Sequence, residues 1–404
     1  MKKLVSAYTD INLVIRIVIA LVIGLLFGIF VPGLEGIGLL GDLFVGALKA
    51  IAPILVFLLV MSSLMESKGK IGKKITNVVI LYLVSTLIAA FLAVVMSFLF
   101  PLTLVLPESA ATGEAPGSVS EVLTNLVIGI VSNPIDAVAS GNYLSILFWS
   151  VIIGLLFKTT ATDSSKQFVV DVKNVFSKII SGIIQFAPIG ILGLVYTTVS
   201  EQGADVFKNY ASIILLLCST MLIQFFVVNA IVVGATIKAN PYPLIFRCLR
   251  KSGITAFFTR SSAANIPVNM KLCEELKLDE ELYAVSIPLG STINMDGAAI
   301  TITIMSIAAA NTVGAQVTIP MAIVCSIVAA LGACGTSGVT GGSLLLIPMG
   351  CALFGIGDDV AMQVVAVGFI ISFIQDSLET ALNSSSDALY TAAVDFRAGG
   401  RKKI

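Results

Sequence analysis

The chain has 404 residues, of which 57% are hydrophobic and only 12% are charged. Soluble domains carry about 25% charged residues, so this composition excludes a soluble globular protein. The 24 basic and 24 acidic residues cancel, which removes any composition-level argument for a nucleic-acid partner. The chain contains no histidine, so mechanisms that need an imidazole base or a histidine metal ligand are excluded. We therefore predict that the protein is not an enzyme, an intramembrane enzyme included.

Apolar stretches long enough to span a bilayer recur along the chain, separated by charged residues, Gly or Pro. A spanning helix needs about 20 apolar residues, and no signal-peptide cleavage pattern follows the first stretch, so we expect it to be retained. After residue 240 the stretches are broken by Ser, Gly, Thr and Asn. The six cysteines form no C-x-x-C pair and predict neither a disulfide framework nor a zinc site. The stretches cover residues 11–32, 43–65, 76–106, 123–157, 168–199, 206–237, 243–270, 282–310, 319–352 and 360–394.

The Lys and Arg residues between these stretches predict their orientation. Most fall into groups that we assign to the cytoplasm. The stretches 243–270 and 319–352 each lie between two segments assigned to the same side, so each must enter and leave by one face. Their small polar centres, 259–265 and 335–343, suit re-entrant helical hairpins. The sequence thus predicts an all-α polytopic membrane protein with eight transmembrane helices, two opposed re-entrant hairpins and both termini in the cytoplasm.

The densest polar signal lies in the last stretch, FIQDSLETALNSSSDALY. Its polar positions recur every three or four residues, which places them on one stripe of a helix. Carboxylates inside a hydrocarbon helix are costly unless they are paired, hydrated or bound to a cation, so they mark a functional pathway. A polar seam that only holds helices together remains an alternative. The stripe consists of Asp376, Glu379, Thr380, Asn383 and Asp387.

A second signal is GSTINMDGAAI at 290–300, where Asn294, Asp296 and Gly297 interrupt an apolar helix. Unwinding there would free main-chain carbonyls beside a carboxylate, and such hard oxygen ligands suit an alkali cation. A helix kink with an Asn or Asp cap is the alternative. The hairpin centres are rich in Ser and Gly, which permits half-helix ends whose amides attract a carboxylate.

Four motifs together resemble the dicarboxylate/amino acid:cation symporter family, which has the glutamate-transporter-like fold. They are TRSS at 259–262, NMDG at 294–297, GTSGV at 335–339 and D-x-x-x-T-x-x-N-x-x-x-D at 376–387. The resemblance covers essentially the whole chain. It implies a homotrimer in the lipid bilayer of the bacterial inner membrane, whose scaffold holds transport domains that move like elevators and are gated by the two hairpins. It assigns residues 1–75 to scaffold helices 1 and 2, 76–107 to transport-domain helix 3, 108–240 to scaffold helices 4 and 5 with transport-domain helix 6, and 241–404 to the transport core.

The resemblance also implies which substrate group or ion each residue in these motifs binds. Asp376 would hold a substrate ammonium, and Asn383 and Thr380 its carboxylate, helped by the backbone at Ser262 and Val339. Sodium would be co-transported, with no organic cofactor. The implied sodium ligands are Gly290, Asn294, Asn383 and Asp387 at one site; Thr292 with the carbonyls of Ala333, Cys334 and Thr336 at a second; and Tyr82, Ser85, Thr86, Asn294 and Asp296 at a third.

One departure from the family pattern concerns the substrate. Family members that transport glutamate or aspartate have Arg at the position of Glu379. A glutamate side chain there cannot bind a second carboxylate on the substrate. Ala298, directly after NMDG, removes another hydrogen-bond donor. Both changes favour a small neutral amino acid, serine or threonine, whose hydroxyl Glu379 would accept, as in the family's bacterial sodium-dependent serine/threonine branch. We expect Arg260 to reach the same cavity and neutralise Glu379; a purely structural pair of the two is the alternative.

Two other functions stay open on the sequence. A sodium- or proton-coupled dicarboxylate or glutamate symporter of the same family is disfavoured by Glu379. An ion channel would use the same polar stripe without a moving gate.

Overall fold

The computed structural model describes residues 11, 13–66, 73–106, 131–203, 206–334 and 341–399. Within these ranges the chain forms helices joined by short turns and contains no strand, which confirms the all-α prediction. Helices up to residue 240 are α1 (Leu13–Phe30), α2 (Glu35–Glu66), α3 (Lys73–Leu99), α4 (Pro134–Ser140), α5 (Tyr143–Thr160), α6 (Asp163–Gln185), α7 (Ala187–Gln202), α8 (Val206–Ile223) and α9 (Asn229–Ile237).

Apart from the last, Asp358–Ala398, the helices after residue 240 are short and closely spaced. A π-helical turn, Leu249–Gly253, joins the first two of them, and another, Gln224–Val228, joins α8 to α9. These helices are α10 (Tyr242–Cys248), α11 (Ile254–Thr259), α12 (Ser262–Glu275), α13 (Glu280–Ile293), α14 (Asp296–Thr312), α15 (Ile319–Ala333), α16 (Ile347–Ala352) and α17 (Asp358–Ala398).

Several helices are long and apolar enough to cross a membrane, in agreement with a multi-pass membrane protein. The pair α6 and α7, bent by 51°, adds a further candidate, and α1, α5 and α15 contain shorter apolar helices. The exact number of eight spans and the side of each terminus stay predictions. Among the described residues, the five candidate spans are Gly36–Glu66, Lys73–Leu99, Phe207–Ile237, Glu280–Thr312 and Asp358–Ala398.

The helices pack in two groups. One consists of α1, α2, α5, α6 and α7, where small residues allow close approach: a Cβ at Gly24 would lie 2.8 Å from the carbonyl oxygen of Leu192. The other surrounds α14, which is buried from Asp296 to Ala310, and includes α3, α8 and α17. Phe44 and Phe369 meet between the groups, with ring centroids 5.4 Å apart. The assignment of these groups to a scaffold and a moving domain stays a prediction.

The segment 242–275 folds back on itself. Asn265 Nδ2 donates to Ser252 Oγ at 2.8 Å, and Arg247 Nη2 donates to the carbonyl of Glu275 at 3.5 Å, so its two arms run antiparallel. The turn lies at Arg260, whose backbone is left-handed with φ 52°. Packing between α15 and α16 likewise brings the arms of 319–352 together, while its centre, 335–340, lies outside the described residues.

The helical interruption predicted at NMDG is present. Helix α13 ends at Ile293 and α14 begins at Asp296, because Asn294 (φ −95°, ψ 83°) and Met295 (φ −124°, ψ 49°) leave the helical conformation. The break lies where α13 and α14 pack against α3 and α17. It therefore places a non-helical backbone segment beside the polar stripe of α17.

Candidate functional site

The polar stripe of α17 is buried against the helices that meet at this break. Asp376, Glu379, Thr380, Asn383 and Asp387 are each no more than 6% exposed. A buried polar group needs a partner, so the contacts of each side chain indicate what the region can bind. They form three groups, centred on Asp387, Asp296 and the pair Asp376 and Glu379.

The Asp387 cluster joins α3, α13 and α17. Asn294 Nδ2 donates to Asp387 Oδ1 at 2.9 Å and to the carbonyl of Asn383 at 3.1 Å. Gly290 lies directly against this carboxylate, because a Cβ there would be only 2.7 Å from Asp387 Oδ1. The structure thus brings together Gly290, Asn294, Asn383 and Asp387, the residues predicted to form one sodium site.

Two oxygens of the Asp387 cluster are buried without a hydrogen-bond donor among the described residues, namely Asp387 Oδ2 and Asn294 Oδ1. An unpaired buried carboxylate oxygen is costly. A hard cation would satisfy both, since carboxylate, amide and main-chain oxygens are the ligands such ions prefer. The donor set therefore fits sodium.

The Asp296 cluster lies on the other side of the break, at the N-terminus of α14. Asp296 Oδ2 accepts from Ser85 Oγ at 2.6 Å and from Gln224 Nε2 at 3.3 Å, and Oδ1 accepts from Thr86 Oγ1 at 3.2 Å. Tyr390 OH lies 2.6 Å from Ser85 Oγ and donates to Asn229 Oδ1 at 2.9 Å. All of these side chains are at most 1% exposed.

The predicted third sodium set is divided between these two clusters. Ser85, Thr86 and Asp296 meet, whereas Tyr82 donates to the carbonyl of Asp387 at 3.1 Å and therefore belongs with Asn294 in the Asp387 cluster. Three members of the Asp296 cluster were not predicted: Gln224, Asn229 and Tyr390. Gln224 and Asn229 are polar amide side chains within the apolar stretch 206–237, and this position is the one feature of the sequence that indicates a buried polar role for them.

The structure describes only some of the residues predicted to form the second sodium site. Cys334 Sγ donates to the carbonyl of Ile293 at 3.4 Å, which brings the buried end of α15 at Ala333 next to the last turn of α13. The Thr292 hydroxyl donates to the carbonyl of Leu289 at 2.8 Å, within its own helix. Thr336 lies outside the described residues.

Arg260 and Asp376 form a buried ion pair. Arg260 Nε donates to Asp376 Oδ2 at 2.7 Å, and the two side chains are 6% and 4% exposed. Asp376 Oδ1 accepts from the backbone amide of Gly341 at 3.3 Å. This differs from the expected neutralisation of Glu379 by Arg260: among the described residues, the acidic partner of Arg260 is Asp376. The left-handed backbone at Arg260 turns the chain where this side chain meets α17.

Glu379 is held by neutral donors instead. Its Oε2 accepts from Thr301 Oγ1 at 2.8 Å, Ser343 Oγ at 2.9 Å and Gln375 Nε2 at 2.6 Å. Ser343 comes from the second arm of 319–352, so Glu379 links that segment to α14 and α17. Of these donors, only Ser343 lies in a predicted hairpin centre, 335–343. Thr301 and Gln375 are single polar residues, and such residues do not indicate which distant residue they contact.

Two further predicted substrate ligands, Thr380 and Asn383, lie on α17 within one helical turn of Glu379. The Thr380 hydroxyl donates to the carbonyl of Asp376 at 2.8 Å, and Asn383 Oδ1 accepts from the Gly297 amide at 2.7 Å. Ser262 is buried at the first position of α12. Val339 lies outside the described residues. The structure thus gathers charged, amide and hydroxyl groups within about three turns of α17.

The chain matches known proteins along nearly its whole length. A model of the sodium:dicarboxylate symporter family matches residues 13–396. The serine/threonine transporter SstT of Bifidobacterium adolescentis is 52% identical over 391 residues, 97% of this chain and 91% of that protein. A protein of the same name from Streptococcus agalactiae serotype Ia is 52% identical over 403 residues, 100% of both chains. The range matched by the family model contains every residue of the site described above.

Proposed function

Because the chain belongs to the sodium:dicarboxylate symporter family, we propose that it is a secondary transporter that couples inward sodium flow to the uptake of serine and threonine. Two relatives that are 52% identical along nearly their whole length carry the name serine/threonine transporter. The observation that carries the proposal is the Asp387 cluster, in which two buried oxygens have no donor among the described residues. Sodium bound there would satisfy both.

Asn383 supports coupling between sodium and substrate. Its main-chain carbonyl accepts from Asn294, which belongs to the Asp387 cluster, and its side-chain oxygen accepts from Gly297. Gly297 in turn packs against Glu379, since a Cβ there would lie 2.9 Å from Glu379 Cα. An ion that fixes Asn294 thereby fixes the backbone beside the proposed amino-acid site. Sodium and amino acid then increase each other's affinity by the same factor.

Serine and threonine are favoured by the acidic side chain at 379. Asp376 is the proposed ligand of the substrate ammonium, which would replace the guanidinium of Arg260 on its carboxylate. Thr380 and Asn383, with the backbone at Ser262 and Val339, would hold the substrate carboxylate. Glu379 would repel a second carboxylate on the substrate and accept a hydroxyl hydrogen bond.

Transport itself is proposed to follow the family's elevator scheme in a homotrimer of the bacterial inner membrane, with both termini in the cytoplasm. The group of helices around α14 would move against the group of α1, α2, α5, α6 and α7. The segment 319–352 would close over the site once its ligands are bound. The contact of Ser343 and Gly341 with α17 supports this role. Closure without the full set of bound sodium and amino acid would bury unpaired carboxylates, and this cost disfavours movement of sodium without substrate.

An uptake experiment tests the proposal and separates it from its rivals. Radiolabelled serine uptake into proteoliposomes is measured with and without an inward sodium gradient, in competition with unlabelled threonine, alanine, aspartate and glutamate. We expect uptake that requires sodium and is inhibited by threonine. Inhibition by aspartate or glutamate in place of threonine would indicate a dicarboxylate or glutamate symporter. A large ohmic sodium current without saturable uptake would indicate a channel.

A further inference from the structure

The carboxylate of Glu379 is held asymmetrically. Three donors, Thr301 Oγ1, Ser343 Oγ and Gln375 Nε2, converge on Oε2 at 2.6 to 2.9 Å. Oε1 accepts no hydrogen bond from any residue in the described part of the chain. Glu379 nevertheless keeps 6% of its surface exposed, while Thr301 and Gln375 are fully buried. One oxygen is therefore fixed to the protein, and the other is available to a ligand.

The donors around Oε2 also hold one another. Gln375 lies one turn before Glu379 on α17, and its Nε2 donates to Thr301 Oγ1 at 2.7 Å as well as to Glu379. Thr301 Oγ1 is 3.0 Å from the carbonyl of Gly297, in the first turn of α14. This network joins α14 to α17 and fixes the rotation of the Glu379 carboxylate. Donors of this kind favour a carboxylate that acts as an acceptor.

Without this network, Glu379 would have a competing partner. Asp376, which pairs with Arg260, is three residues earlier on α17, and residues at that spacing lie on the same helix face. A Glu379 side chain released from Thr301 and Gln375 could rotate toward the guanidinium of Arg260. Its oxygens would then no longer be presented to a substrate.

We propose that Thr301 and Gln375 are positioning residues that set the preference for hydroxylated amino acids by clamping Oε2 of Glu379 so that Oε1 accepts the substrate hydroxyl. This inference rests on the proposed transport of serine and threonine and names the device that distinguishes them from alanine. Ser343, the third donor, comes from the proposed gate segment 319–352, so the gate contacts the same carboxylate that recognises the hydroxyl.

The test compares serine with alanine, which lacks only the hydroxyl. Purified protein in saturating sodium is titrated with each amino acid, and the dissociation constant of alanine is divided by that of serine. Thr301→Val removes the hydroxyl at nearly constant volume, and we expect it to weaken serine binding on the order of 10-fold with little effect on alanine. Thr301→Ser keeps a hydroxyl and should bind serine and alanine with the same ratio of dissociation constants as the wild type. Gln375→Leu should likewise weaken serine binding with little effect on alanine.

Thr303→Val is the matched control. Thr303 lies on the same helix, is fully buried, and its hydroxyl has no partner among the described residues. Its replacement should leave the alanine-to-serine ratio of dissociation constants unchanged. Equal weakening of serine and alanine by both Thr301→Val and Gln375→Leu would overturn the inference, as would a wild-type protein that binds both equally. If the wild type binds neither amino acid, the proposed function fails instead.

Discussion

Replacing Gly290 by alanine tests whether the Asp387 cluster holds sodium. A Cβ at this position would lie 2.7 Å from Asp387 Oδ1, 2.9 Å from Asp387 Cγ and 2.9 Å from Tyr82 OH. Non-bonded heavy atoms prefer separations of about 3.5 Å or more. The carboxylate would therefore have to retreat by roughly 0.8 Å. Asn294, which donates to Asp387 Oδ1 at 2.9 Å, opposes that movement.

The expected loss of sodium affinity follows from this crowding. Overpacking of a well-packed site costs about 1–3 kcal/mol. If that cost falls on the sodium-bound geometry, the sodium concentration for half-maximal serine uptake rises roughly 5- to 150-fold. The assay is the sodium dependence of radiolabelled serine uptake in proteoliposomes, together with the thermal unfolding temperature of the purified variant.

Gly182→Ala serves as the control, because Gly182 lies within α6 and, in the described part of the chain, no atom apart from its own helix backbone comes within 4 Å of an added Cβ. Alanine in a helix is more favourable than glycine by about 0.5–1 kcal/mol, so this variant should be slightly more stable with unchanged sodium dependence. A Gly290→Ala protein that responds to sodium like the wild type would contradict the assignment of a sodium site to the Asp387 cluster. The Asp387 carboxylate would then not be a sodium ligand in the geometry described.

Three further substitutions test the other groups of the site. Asp387→Asn keeps the shape but removes the charge, and we expect sodium-driven serine accumulation to disappear in the proteoliposome assay; accumulation at the wild-type level would contradict the assignment. Arg260→Gln leaves the buried Asp376 carboxylate unpaired, which should destabilise the substrate-free protein by about 3–5 kcal/mol. Saturating serine should recover much of that loss in thermal unfolding, and equal losses with and without serine would argue against replacement of the guanidinium by the substrate ammonium. Glu379→Arg should abolish serine uptake and permit aspartate or glutamate uptake; unchanged serine transport would place Glu379 outside the pocket.

The sequence predicted those features that depend on local pattern. Asn294 and Asp296 interrupt an apolar stretch, and the helix breaks between them because neither favours a helical interior there. The three carboxylates of the polar stripe, Asp376, Glu379 and Asp387, recur at helical spacing, so their burial on one face of α17 could be expected from periodicity alone. The fold-back of 242–275 followed from the charge pattern on both sides of it.

Contacts between distant helices were not predictable in the same way. Arg260 was expected to meet Glu379, but it pairs with Asp376, three residues away on the same helical face. The choice depends on the left-handed turn at Arg260, which no spacing rule specifies. Gln224 reaches Asp296 across 72 residues of sequence. A lone amide in an apolar span indicates that a partner exists without identifying it.

If sodium and amino acid stabilise each other in one buried site, the affinity for serine must depend on the sodium concentration. The dissociation constant of serine is determined for the purified protein at a series of sodium concentrations, with potassium or choline keeping ionic strength constant. We expect serine to bind more tightly as sodium increases and Asp387→Asn to abolish this dependence. A serine affinity that is the same at every sodium concentration would contradict this expectation.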